Sequence, residues 1–154
     1  MIEEWKNSGE KLIPWSLNLD TTDIHSMVEK LHGYSKGIGL SDNFVESSTY
    51  WLIDKGNKVL GAIDIRHRLN ENLSYRGGHI GYGIRPSERR KGYASKMLFL
   101  ALYICKNVNI SRVLITCSKD NVGSAKTIIK NGGVLDSEEM DSGEVFQRYW
   151  IELK

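Results

Sequence analysis

Between His79 and Leu102 the chain reads HIGYGIRPSERRKGYASKMLFLAL, a strand, a sharp turn and a long helix in 24 residues. The turn holds Arg89, Arg90 and Lys91, followed by Gly92 and Ala94. Small residues let a ligand approach the backbone closely. The first turn of a helix has free N–H groups and the positive end of a dipole, so it favours an anion. Cations before small residues at a helix start describe a phosphate cradle. A phosphate cradle in turn implies a nucleotide-like cofactor.

The residues after the turn fix the helix. Ala94, Met97, Leu98, Ala101, Leu102 and Cys105 recur at helical spacing and form one apolar stripe. Phe99 and Leu100 widen it, so this helix is expected to be well buried. The rest of the chain reads as shorter units around it. Residues 23–32 predict a helix after the capping candidates Asp20 to Asp23, with Ile24, Met27, Val28 and Leu31 inward. Residues 33–47 read as a loop. Strands are expected at 48–53, 58–67 and 79–85, separated by the Asp54–Asn57 turn and a polar reversal at 68–77. A strand at 112–116 precedes a helix opened by Asp120-Asn121, whose inner side holds Val122, Ala125, Ile128 and Ile129. Asn131-Gly132-Gly133 stops it. Strands at 134–137 and 145–153 close the chain. The order predicts a mixed α/β fold with an antiparallel front half.

A chain of 154 residues suffices for one domain with a proper core, spanning 1–154. A net charge of +2 is too mild to argue for nucleic-acid binding, and no apolar run approaches membrane-spanning length. The start MIEEWKNSGEK lacks the apolar core of a secretory signal. Cys105 and Cys117 lie in apolar patterns, which predicts buried free thiols and fits a cytoplasmic protein. No Cys/His spacing suggests a metal site.

The glycine pattern is neither G-x-G-x-x-G nor G-x-x-x-x-G-K-[ST]. The segment Arg89-Arg90-Lys91-Gly92-Tyr93-Ala94 instead resembles the acetyl-CoA pyrophosphate loop of the GNAT acyltransferases, whose pattern is Gln/Arg-x-x-Gly-x-Gly/Ala. Pro86 upstream, Asp120-Asn121 opening the next helix, and the element order from Tyr50 onward also match that family. IRHRLN at 65–70, GGHIGYGIRPSERRKGYA at 77–94 and LITCSKDN at 114–121 look like a bacterial subgroup of GNAT proteins whose acceptor is undefined.

The resemblance implies a GNAT-like acyl-CoA N-acyltransferase fold, a central mostly antiparallel sheet flanked by helices. It also implies acetyl-CoA as cofactor and a small-molecule or peptide amine as acceptor. In that fold the fourth and fifth strands splay apart. The backbone of Tyr82, Gly83 and Ile84 would lie beside the pantetheine arm. Main-chain N–H groups of Arg89, Arg90, Lys91, Gly92, Tyr93 and Ala94 would hold the pyrophosphate. Asn121 would bond a pantetheine amide, with Ser124 and Lys130 as further cofactor-side candidates. An amine attacks the thioester directly, so no Ser or Cys nucleophile is needed. A preorganised backbone donor supplies roughly 3–4 kcal/mol of oxyanion stabilisation in comparable sites, and a general base ~10²–10⁴-fold in rate.

The chain departs from the family pattern in three ways. The helix position where many members carry a Tyr acid is Ile128. The fourth strand lacks the frequent Glu base, leaving His79 as substitute, with His67 facing it across a hairpin and Tyr82 as proton donor. Finally, the fold normally begins with a strand, whereas Met1 falls in what reads as the tail of the first helix. A lost first strand, a truncated start and a remodelled helical region all fit. These departures motivate a second reading, a non-catalytic acyl-CoA-binding or regulatory module. Each residue also has a purely structural role open to it: Gly92 and Ala94 in helix–sheet packing, Asn121 as a helix cap, His67 and His79 as sheet histidines. If Arg66 and Arg68 point inward, they favour an acceptor with an acidic group. A monomer and a homodimer through the final strands both fit the sequence.

Overall fold

A computed structural model describes all residues, 1–154. Two three-stranded antiparallel sheets form the frame. The first has the order β1 (Ser47–Ile53), β2 (Val59–Arg66), β3 (Ile80–Ile84). The second has the order β4 (Arg112–Ser118), β6 (Glu144–Glu152), β5 (Val134–Asp141). They touch at one bridge, Gly78 with Ile115, reinforced by the His79 N–H donating to the Leu114 carbonyl at 2.7 Å. Beyond that point β3 and β4 separate, and a cleft opens between them.

Helices α1 (Ile2–Asn7), α2 (Ile24–Tyr34), α3 (Glu71–Tyr75), α4 (Tyr93–Asn107) and α5 (Val122–Lys130) complete the fold. No strand precedes β1; residues 1–18 form α1 and a turn of 3₁₀ helix instead. No helix is long and apolar enough to cross a membrane. The main core lies under α4, where Met97, Leu98, Ala101, Leu102 and Cys105 meet Ile63, Ile65, Ile80 and Ile84 of the first sheet and Val113, Ile115 and Ile151 of the second. A smaller core of Trp5, Leu12, Leu17 and Ala62 lies on the other face of the first sheet. Alternation along β2 and β3 sorts side chains between these cores. Gly83 carries no side chain because a Cβ there would overlap the Trp5 ring.

The structure corrects several expectations. Phe99 and Leu100 do not widen the buried face of α4; they are 66 % and 45 % exposed. In α5 only Ile128 is fully buried, while Val122 and Ile129 face solvent, and Ile24 of α2 is exposed as well. The polar reversal contains α3, capped by the Asn70 side chain accepting from the Leu73 N–H at 2.9 Å. Strand β5 runs four residues past its expected end at Ser137. Its acidic side chains are tolerated because it is an edge strand. The turn into β6 places Ser142 and Gly143 at φ 51° and 82°, the signature of a tight hairpin. Both cysteines are buried free thiols, as expected. Asp23 caps α2 by accepting from the N–H groups of His25 and Ser26.

Candidate functional site

The cleft between β3 and α5 has a volume of about 820 Å³. Its floor is the outer edge of β3 at Tyr82, Gly83 and Ile84. One end is the turn before α4, with Arg89, Arg90, Gly92, Tyr93 and Ala94; the far wall is α5, with Asn121 and Ser124. Every cofactor-side residue expected from the sequence lines it except Lys91, whose Nζ turns away to Glu88 at 2.8 Å.

The turn is built to leave donors free. Arg90 and Gly92 have φ of 62° and 81°, so successive N–H groups converge on one side. None of the N–H groups of Arg90 to Ser95 has a protein acceptor, and α4 has no side-chain N-cap. So long a run of unsatisfied donors is unusual in a folded chain. A Cβ on Gly92 would meet no protein atom within 4 Å. Packing therefore does not require glycine there; the backbone angle does, and the space in front stays open. Arg90, Lys126 and Lys130 line the cleft without an ion-pair partner. Six free donors, open space and unpaired cations fit a diphosphate.

Asn121 does both things open to it. Its Oδ1 accepts from the Ser124 N–H at 3.0 Å and caps α5, while its side-chain NH₂ has no partner in the protein. The Tyr82 hydroxyl crosses the cleft to Ser124 Oγ at 2.9 Å. Burial pushes the Tyr82 phenol up to about 12, so it stays protonated at neutral pH.

The histidines fall elsewhere. His79 is buried against Trp150, with ring centroids 6.4 Å apart, and its Nδ1 accepts from the Leu114 N–H at 2.9 Å. Burial and the nearby Arg66 lower its pKa. With that lone pair engaged, His79 is not free to take a proton from an acceptor. His67 is exposed, and its Nε2 hydrogen-bonds the Ser48 hydroxyl at 2.9 Å. The two imidazoles thus have separate partners, and neither lines the cleft.

The N-terminal wall is the part of the site that sequence reasoning missed. Trp5, Glu10, Lys11 and Ile13 all line the cleft. Arg89 does not point its guanidinium at an open cradle. It grips Glu10 through two bonds of 2.7 and 2.6 Å and lies over the Trp5 ring at 5.3 Å. Arg85 holds Glu4 through Nε at 2.8 Å, and Glu4 also accepts from the Ser87 N–H. Glu4 is thereby held down to about 2, chiefly by the Arg85 bond. Nothing local in MIEEWKNSGEK announces these partners, which lie about eighty residues away.

Comparison with known proteins agrees with this geometry. The Acetyltransferase (GNAT) domain family matches residues 3–134. An uncharacterized N-acetyltransferase, YjdG of Bacillus subtilis (strain 168), is 28% identical over 124 residues, covering 77% of this chain and 67% of that protein. The fold resembles the ribosomal-protein-S5-alanine acetyltransferase of Vibrio fischeri, at TM-score 0.70 and 13% identity over 98% of this chain and 85% of that one. It also resembles a GnaT-family acetyltransferase of Bordetella pertussis, at TM-score 0.66 and 12% identity over 97% and 86% of the two chains. A splayed pair of strands, a donor-rich turn and a family match over most of the chain lead to one assignment: this protein belongs to the GNAT acetyltransferases and is an N-acetyltransferase.

Proposed function

We propose that residues 1–154 act as one domain that transfers an acetyl group from acetyl-CoA directly to a primary amine of a small molecule or peptide. The observation that carries this reading is the run of free N–H groups from Arg90 to Ser95 facing open space at Gly92. When bound, acetyl-CoA supplies an activated acetyl thioester. The chain's part is to hold, orient and manage protons.

The turn donors and the unpaired cations Arg90, Lys126 and Lys130 grip the diphosphate end. The free NH₂ of Asn121 and the edge of β3 hold the amide-bearing arm between them. Such fixing of two reactants accounts for a large part of the rate gain in two-substrate sites. Direct transfer fits the cysteines: burial pushes the Cys105 thiol up to about 11 and raises Cys117, and neither lines the cleft. Tyr82 reaches the cleft from β3, where Ile128 denies α5 an acid of its own. Its protonated hydroxyl is the proton donor on the leaving side, oriented by Ser124. The acceptor amine gives its proton to solvent, since His79 has no free lone pair on Nδ1.

Titration with coenzyme A tests the site. A saturable rise in melting temperature is expected, lost in Gly92→Val. Thiol release from acetyl-CoA with an amine panel then tests transfer, and Tyr82→Phe is expected to lower kcat with little change in coenzyme affinity. Absence of any melting shift at saturating coenzyme A would overturn the reading.

A further inference from the structure

A second cavity of about 290 Å³ lies on the face of the first sheet that carries the smaller core, opposite α4, and is lined by Trp15, Ser16 and the loop after α2. It holds one charge of each sign from β2. Asp64 is 7% exposed; its Oδ1 accepts from the Thr49 hydroxyl at 2.9 Å, and burial raises its pKa. Arg66 spends only Nη1 inside the protein, on the carbonyls of Gly77 at 3.2 Å and Gly78 at 3.0 Å. Its Nε and Nη2 donors have no protein acceptor, and burial lowers its pKa. Neither side chain has an ion-pair partner within 4.0 Å.

That arrangement is odd for a purely structural pair. Buried charges persist when they are paired. These two stand at alternate positions of one strand, so their α-carbons are roughly 6.7 Å apart and they address the same cavity without touching. The Ser16 hydroxyl, also on the wall, is buried with no hydrogen-bond partner. Trp15 and Phe44 also line the cavity, their rings tilted against each other with centroids 4.9 Å apart, and both are half-exposed. A ligand carrying both an ammonium and a carboxylate would satisfy Asp64, Arg66 and Ser16 together. A volume at the lower end for small-molecule sites suits a single small acceptor better than a polypeptide. The linings of cavity and cleft are neighbours along the chain: Ile13 lines the cleft and Trp15, two residues on, the cavity, and Asp64 pairs in register with Gly81, the residue before Tyr82.

Resting on the transferase reading above, we infer that this cavity is the acceptor site and that it takes a small amphoteric amine of the amino-acid type. Asp64 holds the ammonium end and Arg66 the carboxylate, and the ammonium loses its proton to solvent before its nitrogen attacks the thioester.

The test compares free L-amino acids with their carboxamides and with the matched decarboxylated amines. Binding to the coenzyme-free protein is read by saturation-transfer NMR, and turnover by thiol release from acetyl-CoA. Free amino acids are expected to exceed their carboxamides in kcat/KM by roughly tenfold or more, because a site built for a polar group rejects the analogue lacking it. Arg66→Gln should bring that ratio to about one by raising KM for the free acid. Ser16→Leu fills the cavity while leaving both charges in place, and decides the matter if Arg66→Gln does not fold; it should abolish amino-acid binding with coenzyme affinity retained. Equal use of acids and carboxamides by a protein that binds coenzyme A would overturn the inference and leave the transferase reading standing. So would unchanged amino-acid turnover in Ser16→Leu. Amino-acid binding without any coenzyme binding would instead sink the transferase reading and keep the cavity as a ligand site.

Discussion

The two sides of the cleft are made in opposite ways. The α4 side is a continuous segment, Arg85 to Ser95, whose main-chain donors do the holding. The N-terminal side is assembled at a distance: Trp5 packs on Gly83, Glu4 meets Arg85, and Glu10 meets Arg89. A function carried by backbone angles survives as a short motif. A function carried by side chains from remote segments leaves no local trace. The first side should therefore fail at one residue, and the second should fail by degrees.

The largest effect tests the first half of that contrast. Gly92 sits at φ 81° with nothing near its missing Cβ. A β-branched side chain there costs roughly 1–3 kcal/mol in backbone strain alone and occupies the space in front of the donors. Gly92→Val should abolish the coenzyme-dependent melting shift while the fold, read by circular dichroism, persists. Retained binding would mean that the turn is not where the ligand sits.

Next comes the N-terminal wall. Trp5 is 3% exposed and anchors the smaller core. Trp5→Ala should cost about 3–5 kcal/mol, read as a lower denaturant midpoint. Coenzyme affinity should fall less than in Gly92→Val, since the turn donors remain. Equal loss of affinity in both variants would erase the distinction between the two sides.

The same physics decides what is legible in the sequence. The α4 stripe, the three strands before it and the turn are all visible there, because periodicity and glycine placement are local signals. Asn121 is visible as cap and contact for the same reason. His79 reads as a base in sequence because residue type and strand position do not reveal that Nδ1 takes the Leu114 N–H across the junction of the two sheets. Phe99 reads as buried because an apolar residue beside a stripe looks like its margin. Asp64 does leave a signal: it is the lone carboxylate within the otherwise apolar run VLGAIDI. Its significance emerges only with the cavity.

Acid should loosen both sides, through Glu4 on the remote side and Glu88 on the α4 side. Glu4 and Glu88 are both held down to about 2 from a usual 4.5, Glu4 by Arg85 and Glu88 by Lys58 and then Lys91. A carboxylate whose folded pKa lies below its unfolded value contributes stability above the unfolded value, and that contribution is lost as pH falls toward the folded one. Melting temperature should therefore drop between pH 4.5 and about 2, and Glu4→Gln should flatten part of that slope. An unchanged acid limb in Glu4→Gln would show that the Arg85 pair does not tie α1 down.

The smallest effect asks whether the two sides are coupled at all. Glu10 occupies both Nη atoms of Arg89, whose Nε donates to the Ile84 carbonyl at 3.0 Å. The pair is partly solvent-exposed, so Glu10→Gln should change stability by no more than about 1 kcal/mol. Its effect on the cleft has the opposite sign. A carboxylate at the rim repels a diphosphate and holds a guanidinium that the diphosphate would otherwise attract. Removing the charge should tighten coenzyme A binding a few-fold at low ionic strength, and the gain should shrink as salt screens the site. An unchanged affinity at low salt would make Arg89 a clamp for the N-terminal segment alone. Tightening that salt erases would make Glu10 a competitor for the cradle, and the remote wall would then tune the local turn it closes over.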